Sequence, residues 1–103
     1  MRIAIVDDEI EWINQIEDLL VELKRTYSDI EWDVFFNGSQ ILKQYCQERR
    51  PYDVLIIDME MPQMMGVETA LKIRNYDSNV HIFFLTNYKK YVFDSFKAEA
   101  LDY

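Results

Sequence analysis

Acidic side chains stand directly after two largely apolar runs of this sequence, where an α/β sheet would place its chemistry. Asp7 and Asp8 follow the run 2–6, and Asp58 follows the run 54–57. Open α/β sheets bind their ligands beyond the carboxyl ends of the strands. If both runs are neighbouring strands of one parallel sheet, the three carboxylates converge at one edge. Like charges that close repel one another, and a hard divalent cation such as Mg2+, which takes oxygen ligands, relieves the repulsion.

A hydroxyl follows a third, largely apolar run at the same predicted edge. Thr86 comes directly after the run 80–85, and its hydroxyl could reach an oxyanion held on Asp58. A carboxylate nucleophile, a metal that neutralises developing charge and a hydroxyl donor together suit phosphoryl transfer. Each signal alone has a simpler interpretation, because acids favour helix N-termini and lone Asp or Thr residues after strands are common turn or cap residues. Their joint placement at three strand ends favours a site.

Hydrophobic periodicity predicts the elements that must position these residues. Strands and helices alternate with short connections, which predicts a parallel sheet with helices on both faces and right-handed crossovers. We therefore predict an α/β, flavodoxin-like, doubly wound parallel sheet with strand order 2-1-3-4-5. Ser39 is the predicted N-cap of the second helix and Pro51 its stop. The predicted strands are 2–6, 31–36, 53–57, 80–85 and the start of a fifth at 100–103, and the predicted helices are 10–27, 39–49, one that opens at Gly66, and 88–96.

Length, composition and charge limit the possible functions. The 103 residues predict one domain, 1–103, and the hydrophobic fraction of 50% is enough for a real core. The net charge of -8 disfavours direct contact with nucleic acid or with an anionic membrane surface. The longest wholly apolar runs have four residues, whereas a spanning helix needs roughly 20. We expect no membrane or nucleic-acid contact by this segment.

The chain contains a single cysteine, Cys46, which cannot form an internal disulfide. Its place in a helical pattern predicts a small buried apolar residue rather than a reactive thiol. A chain without disulfides fits a reducing compartment, so we expect a cytoplasmic location.

Three motifs make the chain resemble the receiver domain of two-component response regulators. They lie at 5–9, 58–66 and 85–87, and the middle motif is the specific one. Its family pattern is an aspartate, two variable residues, Met-Pro, and a glycine eight residues after the aspartate, and Asp58, Met61, Pro62 and Gly66 match it. The resemblance covers essentially the whole chain and implies a CheY-like fold.

The resemblance implies a role for each acidic residue. Asp58 would be the phosphoacceptor. Asp8, Asp58 and the backbone carbonyl of Glu60 would bind Mg2+ directly, and Asp7 would act through a metal-bound water. The donor would be a sensor histidine kinase, and the chain would be a signalling switch rather than an enzyme, since its only chemistry would be phosphorylation of its own aspartate.

The resemblance also assigns the switch and the loop beside the site. Thr86 would bond a phosphoryl oxygen, and Tyr103 would be the aromatic partner that moves with it. Pro62 and Gly66 would shape the loop after the acceptor. The segments 86–96 and 100–103 further resemble receivers that precede LytTR-type DNA-binding domains, which implies a transcriptional output domain outside this chain.

One feature of the family is not matched within this chain. Receivers carry a lysine, usually followed by proline, shortly after the position of Tyr103, and the sequence ends before it. We therefore expect a receiver truncated at its fifth strand, with the fifth helix absent. The fourth strand, 80–85, would then approach an exposed apolar edge, and such edges recruit other chains. A homodimer or swapped dimer through the fourth-strand side is the expected association.

Two other functions compete with the switch. A receiver-like module could bind partners without phosphotransfer, and the missing lysine favours that alternative for this chain. A hydrolase that forms an aspartyl-phosphate, as in the haloacid dehalogenase superfamily, would need Asp-x-Asp at a strand end. Glu60 occupies that second position here, so we disfavour the hydrolase.

Overall fold

The computed structural model of this protein describes residues 1–61 and 65–85. Strands and helices alternate along this part of the chain, as the periodicity predicts. They are β1 (Arg2–Val6), α1 (Ile10–Thr26), β2 (Glu31–Phe35), α2 (Gly38–Gln47), β3 (Val54–Asp58), α3 (Gly66–Arg74) and β4 (His81–Leu85). Among the described helices, none is both long and apolar enough to cross a membrane.

The strands form one parallel sheet in the order β2-β1-β3-β4. This order confirms the predicted topology for the first four strands. The predicted fifth strand and last helix lie outside the described residues. In the observed register Val6 of β1 is opposite Phe35 of β2 and Ile57 of β3, and Asp58 is opposite Leu85 of β4. The carboxyl ends of the four strands therefore lie side by side at one edge.

Successive side chains of the central strands point to opposite faces of the sheet and pack into two separate hydrophobic cores. Ile3 and Ile5 of β1 pack on the α1 face, whereas Ala4 and Val6 pack on the α2 and α3 face. Burying one such aliphatic side chain fully stabilises the fold by about 1.5–3 kcal/mol. Because helices cover both faces of β1 and β3, nearly every residue of these strands is apolar.

The second helix differs from its prediction at both ends. Asn37, not Ser39, is its N-cap, and the Asn37 side chain accepts a hydrogen bond from the N–H of Gln40. The helix ends at Gln47, before Pro51 is reached. Ser39 lies inside the helix, whereas the backbone of Asn37 is extended, which is the conformation of an N-cap residue.

The expectation that Cys46 is buried is wrong. Cys46 is exposed on α2, and its Sγ lies 3.4 Å from the hydroxyl of Tyr76. The buried positions of α2 are Gly38, Ile41 and Tyr45. Cys46 is the residue that follows the buried Tyr45, and the helical rotation turns it away from the core.

Candidate functional site

The first part of the acidic edge is built by the end of β1. Asp7 directly follows this strand and is fully buried. Its N–H donates to the carbonyl of Phe35 at 3.0 Å, so the residue is fixed to the neighbouring strand. Its Oδ1 accepts the N–H of Glu9 at 2.9 Å, at the start of α1. These two bonds hold the Asp7 carboxylate at the carboxyl end of the central strand.

The second part is built by the end of β3. Asp58 is the last residue of this strand and is 1% exposed. Its Oδ1 accepts the N–H of Glu60 at 3.1 Å. The N–H of Met59 donates to the carbonyl of Leu85 at 2.9 Å, which ties the turn to β4. We call residues 58–60 the acceptor turn.

The three carboxylates meet as the strand order requires. Asp7, Asp8 and Asp58 each offer one oxygen, and these oxygens all lie within 4.8 Å of one another. Asp7 and Asp58 are buried, whereas Asp8 is exposed, so the cluster opens to solvent on the Asp8 side. Burying carboxylates this close together costs free energy through desolvation and mutual repulsion. A divalent cation offsets both costs.

The donor set fits Mg2+ better than a softer metal. The cluster supplies carboxylate oxygens without histidine or cysteine, and hard oxygen ligands are what Mg2+ prefers. Mg2+ commonly takes one or two carboxylates and keeps several waters. The exposed side of the cluster, at Asp8, leaves room for such waters. The residues present therefore fit the metal that the sequence suggested.

Helix α3 starts against the acceptor turn, and Gly66 makes this close approach possible. A Cβ on Gly66 would overlap the carbonyl oxygen of Asp58 and would lie 2.9 Å from the Cα of Met59. The N–H of Gly66 donates to the carbonyl of Met59 at 3.0 Å. The requirement here is space beside a backbone rather than a positive φ.

The helix-start interpretation of the acids after β1 explains part of the cluster. Asp7 does bond the N–H of Glu9 at the beginning of α1. Glu9 itself is the N-cap of this helix, and its side chain makes no capping hydrogen bond. A second buried carboxylate, Asp58, comes from a different strand. Helix capping alone therefore does not account for the convergence.

Several predicted residues lie outside the described part of the chain. They are Pro62, Thr86 and Tyr103. The structure brings together Asp7, Asp8 and Asp58 and joins Glu60 to Asp58 through its N–H.

Sequence reasoning missed the backbone groups that hold the site. The carbonyl of Phe35 fixes Asp7, and the carbonyl of Leu85 fixes Met59. Any residue type offers a carbonyl, so no side-chain pattern marks these positions. The strand register would have found them, because each carbonyl belongs to the last residue of a neighbouring strand.

The family model for the response regulator receiver domain matches residues 3–103. Curated relatives include the sensory transduction protein LytT of Oceanobacillus iheyensis, 42% identical over 65% of this chain and 27% of that protein. The transcriptional regulatory protein YpdB of Escherichia coli is 30% identical over 100% of this chain and 40% of that protein. The chain thus spans less than half the length of these relatives.

Solved structures agree in fold. The response regulator TrrA of Thermotoga maritima in complex with Mg2+-BeF has a TM-score of 0.63 and 35% identity, over 98% of this chain and 81% of that one. TrrA in a second structure, in complex with the histidine kinase ThkA, has a TM-score of 0.63 and 34% identity, over 96% of this chain and 78% of that one.

Proposed function

Because the chain belongs to the response regulator receiver domain family, whose model matches residues 3–103, we propose that Asp58 accepts a phosphoryl group from a histidine kinase. The observation that carries this proposal is the meeting of Asp7, Asp8 and Asp58 within 4.8 Å at one sheet edge. The similarity to TrrA, which was solved with a histidine kinase, supports a kinase as the partner.

The transfer exchanges one phosphorus bond for another. A carboxylate oxygen of Asp58 attacks the phosphorus of a phosphohistidine, and the P–O bond forms as the P–N bond breaks. The histidine ring nitrogen keeps the electron pair of the broken bond and takes a proton from solvent. The acceptor turn contributes by orientation, since the N–H of Glu60 holds Oδ1 of Asp58.

Mg2+ would be held by Asp8, Asp58 and the backbone carbonyl of Glu60, with Asp7 acting through a metal-bound water. When bound, the ion neutralises charge that develops on the phosphoryl oxygens. The similarity to TrrA, solved with Mg2+-BeF, supports this ion. Asp7 and Asp58 are buried, and hydrogen bonds from backbone N–H groups orient their carboxylates.

The signal would leave the site through Thr86 and Tyr103. Thr86 would bond a phosphoryl oxygen, and Tyr103 would repack with it, so that an output domain senses the change. YpdB, one of the relatives, is a transcriptional regulatory protein, which supports a transcriptional output in the protein to which this segment belongs. Self-phosphorylation of Asp58 is the only chemistry in this scheme, so the chain acts as a switch and not as an enzyme.

Association through the β4 side is part of the proposal. Phe83 and Phe84 of β4 are 54% and 36% exposed. The two rings lie on opposite faces of β4, and burial of either ring against another chain removes apolar surface from water. A second copy of this chain is the proposed occupant, through pairing or exchange of a terminal segment.

Phosphorylation by a small donor tests the function without knowledge of the kinase. The chain is incubated with acetyl phosphate and Mg2+ and analysed by intact-mass spectrometry, with Asp58→Asn as the matched control. We expect one added phosphate that requires both Mg2+ and Asp58. A chain that keeps its fold but takes no phosphate would contradict the switch and favour the interaction module.

A further inference from the structure

Helix α3 rests directly on the acceptor turn. Gly66 abuts the carbonyl of Asp58, and its N–H bonds to the carbonyl of Met59. Within the same turn, Oδ1 of Asp58 accepts the N–H of Glu60. A phosphoryl group bonded to Oδ1 would displace the N–H of Glu60 from that oxygen. A rearranged turn would move the carbonyls of Asp58 and Met59, which Gly66 contacts at the start of α3.

Two buried hydroxyls beside this helix lack a hydrogen-bond partner within the part of the chain that the structure describes. They are Oη of Tyr45 on α2, a residue 4% exposed, and Oγ1 of Thr69 on α3, a residue that is fully buried. An unpaired buried hydroxyl destabilises the packing that encloses it. A packing of α3 in which either hydroxyl gained a partner would recover that free energy.

The contact between α2 and the turn after α3 reaches the protein surface. The ring of Tyr45 lies 6.4 Å from the ring of Tyr76, centroid to centroid. The N–H of Tyr76 bonds to the carbonyl of Ile73 in the last turn of α3, so Tyr76 moves with this helix. The hydroxyl of Tyr76 in turn lies 3.4 Å from Sγ of the exposed Cys46. We call Tyr45, Cys46 and Tyr76 the α2–α3 seam.

We propose that loading of Asp58 shifts α3 and repacks the α2–α3 seam, so that the surface at Cys46 and Tyr76 reports the state of the acceptor. The shift starts at the contact of Gly66 with the acceptor turn. It is transmitted along α3 to Ile73, whose carbonyl accepts the N–H of Tyr76. In the shifted packing the Tyr45 hydroxyl would gain a hydrogen-bond partner, which would favour the shift. This inference rests on the proposed function and adds a responsive surface on α2 and α3, away from Thr86 and Tyr103.

The reaction rate of Cys46 with a thiol reagent tests the proposal, because Cys46 is the sole cysteine of the chain. The rate is measured with Mg2+ before and after acetyl phosphate, and phosphate on Asp58 is counted by mass in the same samples. Tyr76→Phe gives the rate of a thiol that lacks the hydroxyl contact. We expect phosphorylation to change the reaction rate of the wild-type Cys46 about fivefold, in the direction of the rate of the Tyr76→Phe variant. A fivefold change in rate corresponds to about 1 kcal/mol. The backbone amide resonances of Cys46 and Tyr76 provide a second readout that does not depend on the thiol.

Variants separate the seam from a general effect. Asp58→Asn removes both the phosphate and the response. Tyr45→Phe keeps the ring but removes the hydroxyl, so we expect it to take phosphate with a smaller response at Cys46. Tyr27→Phe, at the exposed end of α1, leaves the response unchanged.

The outcomes distinguish this inference from the proposed function. Phosphate on Asp58 with an unchanged Cys46 rate and unshifted amides at Cys46 and Tyr76 overturns the inference alone. A chain that takes no phosphate overturns the proposed function, and this inference with it. An equal response in Tyr45→Phe refutes the role given to the Tyr45 hydroxyl.

Discussion

At the scale of single residues, the acidic edge depends on atoms that lie outside the carboxylates. Asp7 and Asp58 are each held by a backbone N–H two residues later, from Glu9 and Glu60. Gly66 supplies the space in which α3 meets the acceptor turn. The site therefore combines charged side chains with backbone groups that orient them.

Gly66→Ala tests the spatial requirement. The added Cβ meets the backbone carbonyl of Asp58, so the start of α3 must shift, and we expect a loss of about 1–3 kcal/mol in the free energy of unfolding. Urea denaturation followed by circular dichroism measures it. Glu68→Ala, at an exposed position of the same helix, should stay within about 0.5 kcal/mol of wild type. Equal urea midpoints for the two variants would show that the acceptor turn adjusts to the added Cβ without loss of stability.

At the scale of elements, the connection between α2 and β3 holds a locally strained residue. Arg50 has a φ of 52°, in the left-handed region, and it precedes the buried Pro51. This region is unfavourable for a residue with a Cβ and is open to glycine. The basic side chain at this position is exposed, so its identity is not set by the core.

Arg50→Gly should raise the free energy of unfolding. Glycine removes the left-handed strain, and part of the gain is lost to the greater freedom of the unfolded chain, which leaves about 0.5–1 kcal/mol. Arg49→Gly is the matched control, because among the described residues the positive φ belongs to Arg50. That control should lose stability, since only the unfolded-chain effect remains. Thermal denaturation of both variants checks the signs, and a shift of the same sign in both would refute the strain.

At the scale of the whole molecule, the sheet has one strand whose aromatic side chains are poorly covered. The described sheet ends at β4, where Phe83 points to the face of α1 and Phe84 to the face of α3, as the alternation of the paired β3 residues requires. Both aromatic side chains remain exposed. Self-association would bury them.

Sedimentation equilibrium tests this association. We expect the apparent mass of the wild-type chain to rise with concentration. Phe83→Ser should weaken the dimer about tenfold or more, because a lost aromatic contact is worth about 1.5–3 kcal/mol when fully buried. Val21→Ser, at a similarly exposed site on α1, should leave the dimer unchanged. A monomeric mass at every concentration would contradict the β4-side dimer.

Much of the fold was predictable because its signals are local. Apolar runs and helical spacing identify each described strand and helix, and the preference for right-handed crossovers limits the strand order. The order β2-β1-β3-β4 then brings Asp7, Asp8 and Asp58 to one edge. The pattern from Asp58 to Gly66 identified the family, which the match over 3–103 confirms.

Other features were decided by contacts between distant parts of the chain. Ser39 is the predicted N-cap of α2, whereas the structure places the N-cap at Asn37, whose backbone is extended. The sequence places Cys46 in a helical pattern, and the packing of α2 turned that residue to the surface.

The same distinction holds at the acidic edge. Residue types and spacing determined that Asp7, Asp8 and Asp58 stand at the ends of neighbouring strands. Only the tertiary structure decided that Asp7 and Asp58 are buried while Asp8 faces solvent. It also decided that Gly66 touches the carbonyl of Asp58. The physical reason is that periodicity depends on neighbours in sequence, whereas burial and close approach depend on how separate elements pack.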